Sequence, residues 1–276
     1  MDDVKISIRK KNKVNVLRYG KCDELINELK TVELFLEDMQ YLSAGRNYVH
    51  CEKSVFSLQR VLISAELTMG SIISCCESAC IADAYSLLRK YRDDLFFYLY
   101  VSVYDADKAF DDKSKRIKDM KENILKWLED GLDNFYINLL LKSISTSPAL
   151  SDGVVKFELK QSFDNIGTRL NNYVHSKGYS YYNMSYIVYK DFRTSLESLI
   201  NDAEYITMSF LFLLILSSPL SIMSTDYIDY YECGQISPEG CQYLVAPFVE
   251  KFINLHIKMI DDNCLAYLRE NTSMQL

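Results

Sequence analysis

Glycine and proline are scarce in this sequence, with nine and four residues among 276. A protein built from many short strands needs frequent turns, which these two residues usually provide. The runs between them carry apolar side chains at intervals of three and four residues, a spacing typical of amphipathic helices. The sequence therefore predicts an all-α protein, and its hydrophobic content of 49% is sufficient for a substantial core.

Histidine is limited to His50, His175 and His256. The chain contains no GxxxxGK(S/T) loop and no GxGxxG turn, so nucleotide hydrolysis and dinucleotide redox chemistry have no support. It also lacks an HExxH helix and a GxSxG elbow. Catalysis that depends on histidine has three candidates, and His175 is the best of them, since His256 lies in the stretch FINLHIKMI, which favours a packed or surface helix residue.

The chain has fewer basic than acidic residues, with 31 lysines and arginines compared with 38 aspartates and glutamates. The resulting net charge of −7 argues against a protein that coats nucleic acid in general. Basic residues nevertheless cluster at positions 5–21 and 113–126. Each cluster can either steer a phosphodiester backbone or simply form solvated surface.

The eight cysteines do not follow the pattern of a disulfide framework, and no second Cys or His pair completes a zinc set with Cys75, Cys76 and Cys80. The N-terminus lacks an apolar leader. The segment from Tyr205 to Thr225 carries no charge, but its dense apolar part ends at Leu216, which favours a buried central helix over a membrane span. We expect a cytoplasmic protein without metal, cofactor or membrane association.

Apolar periodicity places a series of helices along the chain. They run from Asp23, as N-cap, to about residue 43; from about Glu52 towards Cys76; from Asp83 to about Tyr104; from about Ser114 to Asp130; through Asn134 to Ile144; from about Asp152 as one helix of up to 25 residues; from Asp191 to about Ser218; and from Gln242 to Ile260. Residues 1–21 alternate apolar and basic positions, which suits a strand, a hairpin or an extended arm.

The stretch from Gln161 to Gly178 is the strongest candidate for a site. At about 100° per residue on an α-helix, one stripe is apolar and the opposite face is polar. The apolar stripe contains Phe163, Ile166, Leu170 and Tyr173, and the polar face contains Asn165, Thr168, Arg169, Asn172 and His175. Gly178 suits a left-handed cap, which places His175 in the last turn.

The polar face offers the groups needed to handle a phosphate. Arg169 and His175 are six residues apart, about 120° around the helix and about 9 Å along it. The arginine can bind a phosphate while the histidine approaches it. A polar helix face is also commonly just solvated surface.

The sequence RLNNYVH, from Arg169 to His175, resembles the Arg-x(4–6)-His motif of the HEPN superfamily. Upstream, AYSLLRKYRDDLFFYLY is similar to the second core helix of HEPN domains, whose acidic residue corresponds to Asp93 or Asp94. The resemblance implies a helical HEPN-type core over residues 79–217. Residues 1–78 then form an N-terminal arm and helices, and residues 218–276 a C-terminal helical extension, in one continuous unit.

This resemblance also implies a function: a metal-independent endoribonuclease that leaves a 2′,3′-cyclic phosphate and a 5′-hydroxyl. His175 is then the general acid or base, Arg169 holds the phosphate, and Asn172 and Asn171 position the scissile group. Asp93 or Asp94 orients a motif residue, although Arg89 and Asp93 also have the spacing of a surface ion pair. RNA, a second copy of the chain and a regulatory protein are the implied partners, in a phage-defence or toxin setting.

Two other functions remain open. A non-catalytic helical module that binds a protein partner is favoured by Leu170 directly after the arginine, by the acidic net charge and by the 21 tyrosines. A membrane-associated effector would use the segment from Tyr205 to Thr225.

Overall fold

The computed structural model describes residues 10, 13, 22–43, 48–51, 54–129, 137–175, 177 and 189–276. Most of these residues are helical, as the shortage of glycine and proline predicts. The elements, in chain order, are α1 (Cys22–Ser43), β1 (Tyr48–Cys51), β2 (Ser54–Ser57), α2 (Gln59–Glu77), α3 (Ile81–Lys108), α4 (Lys115–Leu128), α5 (Ile137–Ser145), α6 (Ser151–Lys156), α7 (Leu159–Val174), α8 (Tyr189–Ser217), α9 (Asp226–Glu232), α10 (Pro247–His256) and α11 (Cys264–Asn271). Short 3-10 turns lie at Pro219–Ile222, Cys241–Tyr243 and Ile257–Met259.

Helix α3 is the centre of the packing, because it contacts α2, α4, α5, α7 and α8. Its aromatic residues are buried in the core. The ring of Tyr98 meets Phe210 of α8 edge to face, with 5.5 Å between centroids. The Tyr91 hydroxyl lies 2.6 Å from the Thr207 hydroxyl, so a buried polar atom on each helix is satisfied by the other.

Helix α8 is the buried central helix that the sequence predicts. Its segment Phe192–Ser217 is long and apolar enough to cross a membrane, but 89% of its apolar window is buried inside the protein. A helix that is apolar on all sides needs neighbours around it. Here α1, α3, α10 and α11 supply them.

A single hydrophobic cluster extends from Cys22 in α1 to Met274 near the C-terminus. It includes buried side chains from each of the three predicted segments, residues 1–78, 79–217 and 218–276. Phe35 of α1, for example, stacks on Phe252 of α10 with 4.0 Å between ring centroids. The first and last parts of the chain are therefore joined directly through the core.

The prediction of a helix from about Glu52 was wrong at its start. An antiparallel hairpin pairs Tyr48 with Ser57 and His50 with Val55, and α2 begins only at Gln59. Val49, Val55 and the aromatic residues of this stretch favour extended backbone, which overrides the helical spacing of its apolar residues. Helix α1 already includes Cys22, so Asp23 lies in its first turn rather than at the N-cap.

The single helix predicted from Asp152 is divided into α6 and α7. Glu158 has a positive φ of 48°, which ends the first helix and starts the second in a new direction. The division lets Phe157 enter the core, where it meets Phe212 of α8 and Tyr267 of α11 edge to face. Tertiary packing thus overrides a continuous helical pattern.

Parts of the predicted organisation lie outside the described residues. These are Asp130 and Asn134 as helix boundaries, Gly178 and, apart from Lys10 and Lys13, the arm or hairpin of residues 1–21. Near the C-terminus, the predicted helix from Gln242 to Ile260 is shorter, since α10 starts at Pro247 and a 3-10 turn follows it.

Candidate functional site

A cleft of about 490 Å³ separates α3 from α7, with α5 along one side. Helix α7 presents a polar stripe to this α3–α7 cleft. The stripe follows the spacing i, i+4, i+7 and i+11, which lies on one helix face. Its residues are Asp164, Thr168, Asn171 and His175.

Helix α3 faces that stripe with two arginines, Arg89 and Arg92. The rest of the wall includes four apolar residues, Phe96, Phe163, Ile137 and Leu141. The rings of Phe96 and Phe163 meet edge to face with 4.7 Å between centroids. This contact packs α3 against α7 beside the cleft.

Arg92 is buried, with only 3% of its surface exposed. Its Nε and Nη2 atoms donate to Oδ1 of Asp93 at 3.0 and 2.7 Å. A Cβ atom added to Gly167 would lie 3.3 Å from Arg92 Nη1. The glycine therefore lets the guanidinium lie close against α7, and its third nitrogen is directed to the helix that carries Asn171 and His175.

Arg89 is half-buried at the same cleft. Among the residues that the structure describes, its side chain has no hydrogen bond or ion pair. The predicted pair of Arg89 with Asp93 is absent from this part of the chain, because Asp93 binds Arg92 instead. Arg89 thus has its donors available to a ligand in the cleft.

The two acidic residues considered for this helix have different surroundings. Asp93 supports the buried Arg92 and is itself 43% exposed. Asp94 accepts a hydrogen bond from Ser64 of α2 at 2.8 Å and from Lys90 at 2.5 Å. Of the two, only Asp93 contacts a residue that lines the cleft.

Arg169 points away from the cleft, towards α8. It forms a two-pronged ion pair with Asp202, in which Nε donates to Oδ2 at 2.9 Å and Nη2 donates to Oδ1. The hydrogen bond to Asp202 raises the pKa of the Arg169 guanidinium above its ordinary value. The carboxylate is deeply buried, at 6% exposed, whereas the arginine is 46% exposed.

The predicted motif is therefore divided between two sides of α7. His175 and Asn171 line the cleft, while Arg169 and the half-buried Asn172 do not line it. The reason is the helical geometry itself, since six residues leave Arg169 and His175 about 120° apart. Helix α3 occupies one side of α7, and Asp202 of α8 occupies the other.

His175 is exposed and forms the C-cap of α7. Its backbone N–H donates to the carbonyl of Asn171 at 3.0 Å, and Lys177 N–H donates to the carbonyl of Asn172 at 3.0 Å. The second bond joins the N–H two residues after the cap to the carbonyl three residues before it, which is the wider-spaced bond of a Schellman ending. The histidine thus lies at the mouth of the cleft, at the end of the helix as predicted.

Sequence reasoning missed Arg92, Arg89 and Gly167 as parts of the site. Their signal was present, because Arg89, Arg92 and Phe96 follow the spacing i, i+3 and i+7 and must share a face of α3. What the spacing does not give is the partner of that face. Only the packing of α3 against α7 shows that it is turned to His175.

No protein-family model matches the chain, and neither a curated protein nor a solved structure is significantly similar to it.

Proposed function

We propose that this protein is a metal-independent endoribonuclease of HEPN type that cleaves RNA in the α3–α7 cleft. One observation carries the proposal: His175 and Asn171 line the same cleft as two arginines, Arg89 and Arg92. A histidine beside cationic hydrogen-bond donors suits the cleavage of a phosphodiester next to a ribose hydroxyl.

The reaction needs two proton transfers. The 2′-hydroxyl loses a proton as its oxygen bonds to phosphorus, and the departing 5′-oxygen gains one as the P–O5′ bond breaks. In the proposed mechanism His175 performs one transfer as general acid or base, and a water molecule completes the exchange. The products are a 2′,3′-cyclic phosphate and a 5′-hydroxyl, so no atom from water enters them at this stage.

In the proposed mechanism the arginines of α3 stabilise the negative charge that develops on the oxygens bound to phosphorus. Arg89 has its donors available, and Arg92 is held in place by Asp93 and directs Nη1 towards Gly167. Preorganised donors of this kind stabilise developing charge without reorganising during the reaction. Asn171 positions the scissile group, and Arg169 serves as a positioning residue that fixes α7 to α8.

Incubation of a mixed RNA pool with purified protein in excess EDTA tests this proposal. We expect cleavage that resists the chelator and yields cyclic phosphate ends. Replacement His175→Ala should lower the rate by about 100-fold or more, and Arg89→Ala should lower it without changing the thermal midpoint, because Arg89 has no partner in the described residues.

Asn165→Ala is the matched control, since Asn165 is exposed on α7 and does not line the cleft. This variant should cleave RNA at the wild-type rate. Equal background cleavage by the wild type, the His175 variant and the control would overturn the proposal.

One observation favours the second candidate, a non-catalytic helical module that binds a protein partner. Arg169, the arginine of the motif, neutralises Asp202 rather than facing the cleft. In a module of this kind the motif residues would serve the packing of α7, and the RNA assay would show no activity that depends on His175.

A further inference from the structure

A second cavity adjoins the α3–α7 cleft. It has a volume of about 500 Å³ and shares Leu141, Phe163 and Asp164 with the cleft. It lies between α5, α6 and α7, with Leu213 of α8 at its base. Because the two cavities have three wall residues in common, they adjoin along α7, and we refer to them together as the groove.

Two lysines mark this second space, which we call the lysine cavity. Lys142 of α5 and Lys160 of α7 line it, and both are exposed. Within the described part of the chain, neither side chain forms a hydrogen bond or an ion pair. The remaining wall is largely apolar, formed by Leu141, Ile144, Val154, Phe163 and Leu213.

The groove is locally cationic although the chain has a net charge of −7. Three cationic residues without an ion pair in the described part of the chain line its two parts, namely Arg89, Lys142 and Lys160, and a fourth, Arg92, is paired with Asp93. Asp164 is the one acidic residue among the described wall residues of either cavity. Such a local reversal of charge concentrates anions in a cleft.

The length of the groove suits a short single strand. Lys160 and His175 are 15 positions apart on α7, which corresponds to about 22 Å at about 1.5 Å per residue. A stacked strand advances about 3.4 Å per nucleotide, so roughly six nucleotides fit over this distance. Each cavity also has the size of a site for one small ligand, for which about 300–1,000 Å³ is usual.

We propose that the lysine cavity binds the segment of single-stranded RNA next to the cleaved phosphodiester, an inference that rests on the proposed endoribonuclease function. Lys142 and Lys160 each contact a different backbone phosphate there. The apolar wall formed by Ile144, Val154 and Leu213 receives a base. A cationic track beside apolar surface is the usual composition of a groove for single-stranded nucleic acid.

Fluorescence anisotropy with a labelled single-stranded RNA of about six nucleotides tests the proposal without any cleavage. All proteins carry His175→Ala, so that the probe stays intact. We expect Lys142→Ala with Lys160→Ala to weaken binding at least ten-fold. The slope of log affinity against log salt should fall by about 1.4, since each phosphate contact on a single strand contributes about 0.7.

The matched control removes the same charge elsewhere. Lys30→Ala with Lys251→Ala changes two exposed lysines, one on α1 and one on α10, that lie outside both cavities and outside both basic clusters. This variant should bind the RNA as tightly as its parent. An equal loss of affinity in the control, or none in the Lys142 and Lys160 variant, would overturn the proposal.

The two proposals can fail separately. If wild-type protein cleaves RNA but binding does not depend on Lys142 and Lys160, the nuclease stands and the subsite is wrong. If binding depends on these lysines but no cleavage occurs, the groove is a binding site for RNA and the nuclease is wrong. A duplex of the same sequence should bind at least ten-fold more weakly, and equal binding would contradict the preference for a single strand.

Discussion

Arg169 neutralises a carboxylate that water barely reaches. The Asp202 side chain is 6% exposed and accepts two hydrogen bonds from the arginine. Without this partner the carboxylate would keep its charge in a poorly solvated position or would have to take up a proton. Beside the pair, the rings of Tyr85 and Tyr173 stack with centroids 3.9 Å apart, which further joins α3 to α7.

We therefore predict that Arg169→Ala destabilises the fold by about 1–2 kcal/mol, measured by urea unfolding. This is less than the roughly 3–5 kcal/mol of a fully buried pair, because the arginine is nearly half exposed to solvent. The double variant Arg169→Ala with Asp202→Asn should lose less stability than the sum of the single variants. Strict additivity would show that the pair is not coupled.

Lys126→Ala is the control for this prediction. It breaks the exposed pair of Lys126 with Glu122 on α4 and should leave stability close to that of the wild type. Lost RNA cleavage in an Arg169 variant is evidence of a direct role only if the protein remains folded under the conditions of the assay.

At the scale of elements, the site depends on how closely α3 approaches α7. Gly167 faces Arg92 Nη1, and an added Cβ would come within 3.3 Å of it. An alanine there would displace the guanidinium, although alanine is the better helix former by about 1 kcal/mol.

Gly167→Ala is thus predicted to separate activity from stability. The thermal midpoint should stay the same or rise, while RNA cleavage should fall several-fold because Arg92 is moved relative to His175. Asn165→Ala, which raises helix propensity on the same helix without facing the cleft, should retain full cleavage. A Gly167 variant with unchanged cleavage would argue against Arg92 as a phosphate ligand.

The elements also show what periodicity can and cannot give. The apolar stripe of α7 is predicted correctly, since Phe163, Ile166 and Leu170 are all buried. The polar face of α7 includes residues that do not line the cleft, and the sequence does not show which part of this face another helix will cover. That Arg169 is turned away from His175 depends on the position of α8, because its partner Asp202 is 33 residues further along the chain.

The hairpin and the break at Glu158 were missed for related reasons. Strands of four residues contain too few positions for alternation to be distinguished from helical spacing. The break depends on Phe157 reaching Phe212 and Tyr267, contacts between residues distant in sequence. Long helices such as α3 and α8 were predictable because their apolar character extends over many turns.

At the scale of the whole molecule, the central helix α8 carries a carboxyl group that the candidate site does not use. Glu204 is 7% exposed. Burial, and then the nearby carboxylate of Glu28 on α1, raise the pKa of Glu204 from its ordinary value of 4.5 to about 7. Nδ1 of His256, at the end of α10, lies 3.9 Å from Oε1 of Glu204. Burial lowers the pKa of this histidine.

The sign of the pH dependence follows from these directions. Because the pKa of Glu204 is raised in the folded state, the folded protein binds the proton more tightly than the unfolded chain does. The stabilisation is complete below about pH 4.5 and is lost as the pH rises through about 7. His256 has the opposite effect. Because burial lowers its pKa, the folded protein loses stability as the pH falls below the ordinary pKa of a histidine.

We predict that Glu204→Gln makes the free energy of unfolding less sensitive to alkaline pH. Between pH 5 and 8 the wild type should lose about 2–3 kcal/mol relative to this variant, since one pKa unit corresponds to about 1.4 kcal/mol. Urea unfolding across this range measures the difference. His256 is present in both proteins, so its opposite contribution largely cancels. The control is Glu250→Gln, which changes an exposed residue on α10 and should reproduce the wild-type profile. Parallel profiles for the wild type and Glu204→Gln would mean that the buried carboxyl is ionised at no extra cost, and that water or a neighbouring group solvates it in the folded protein.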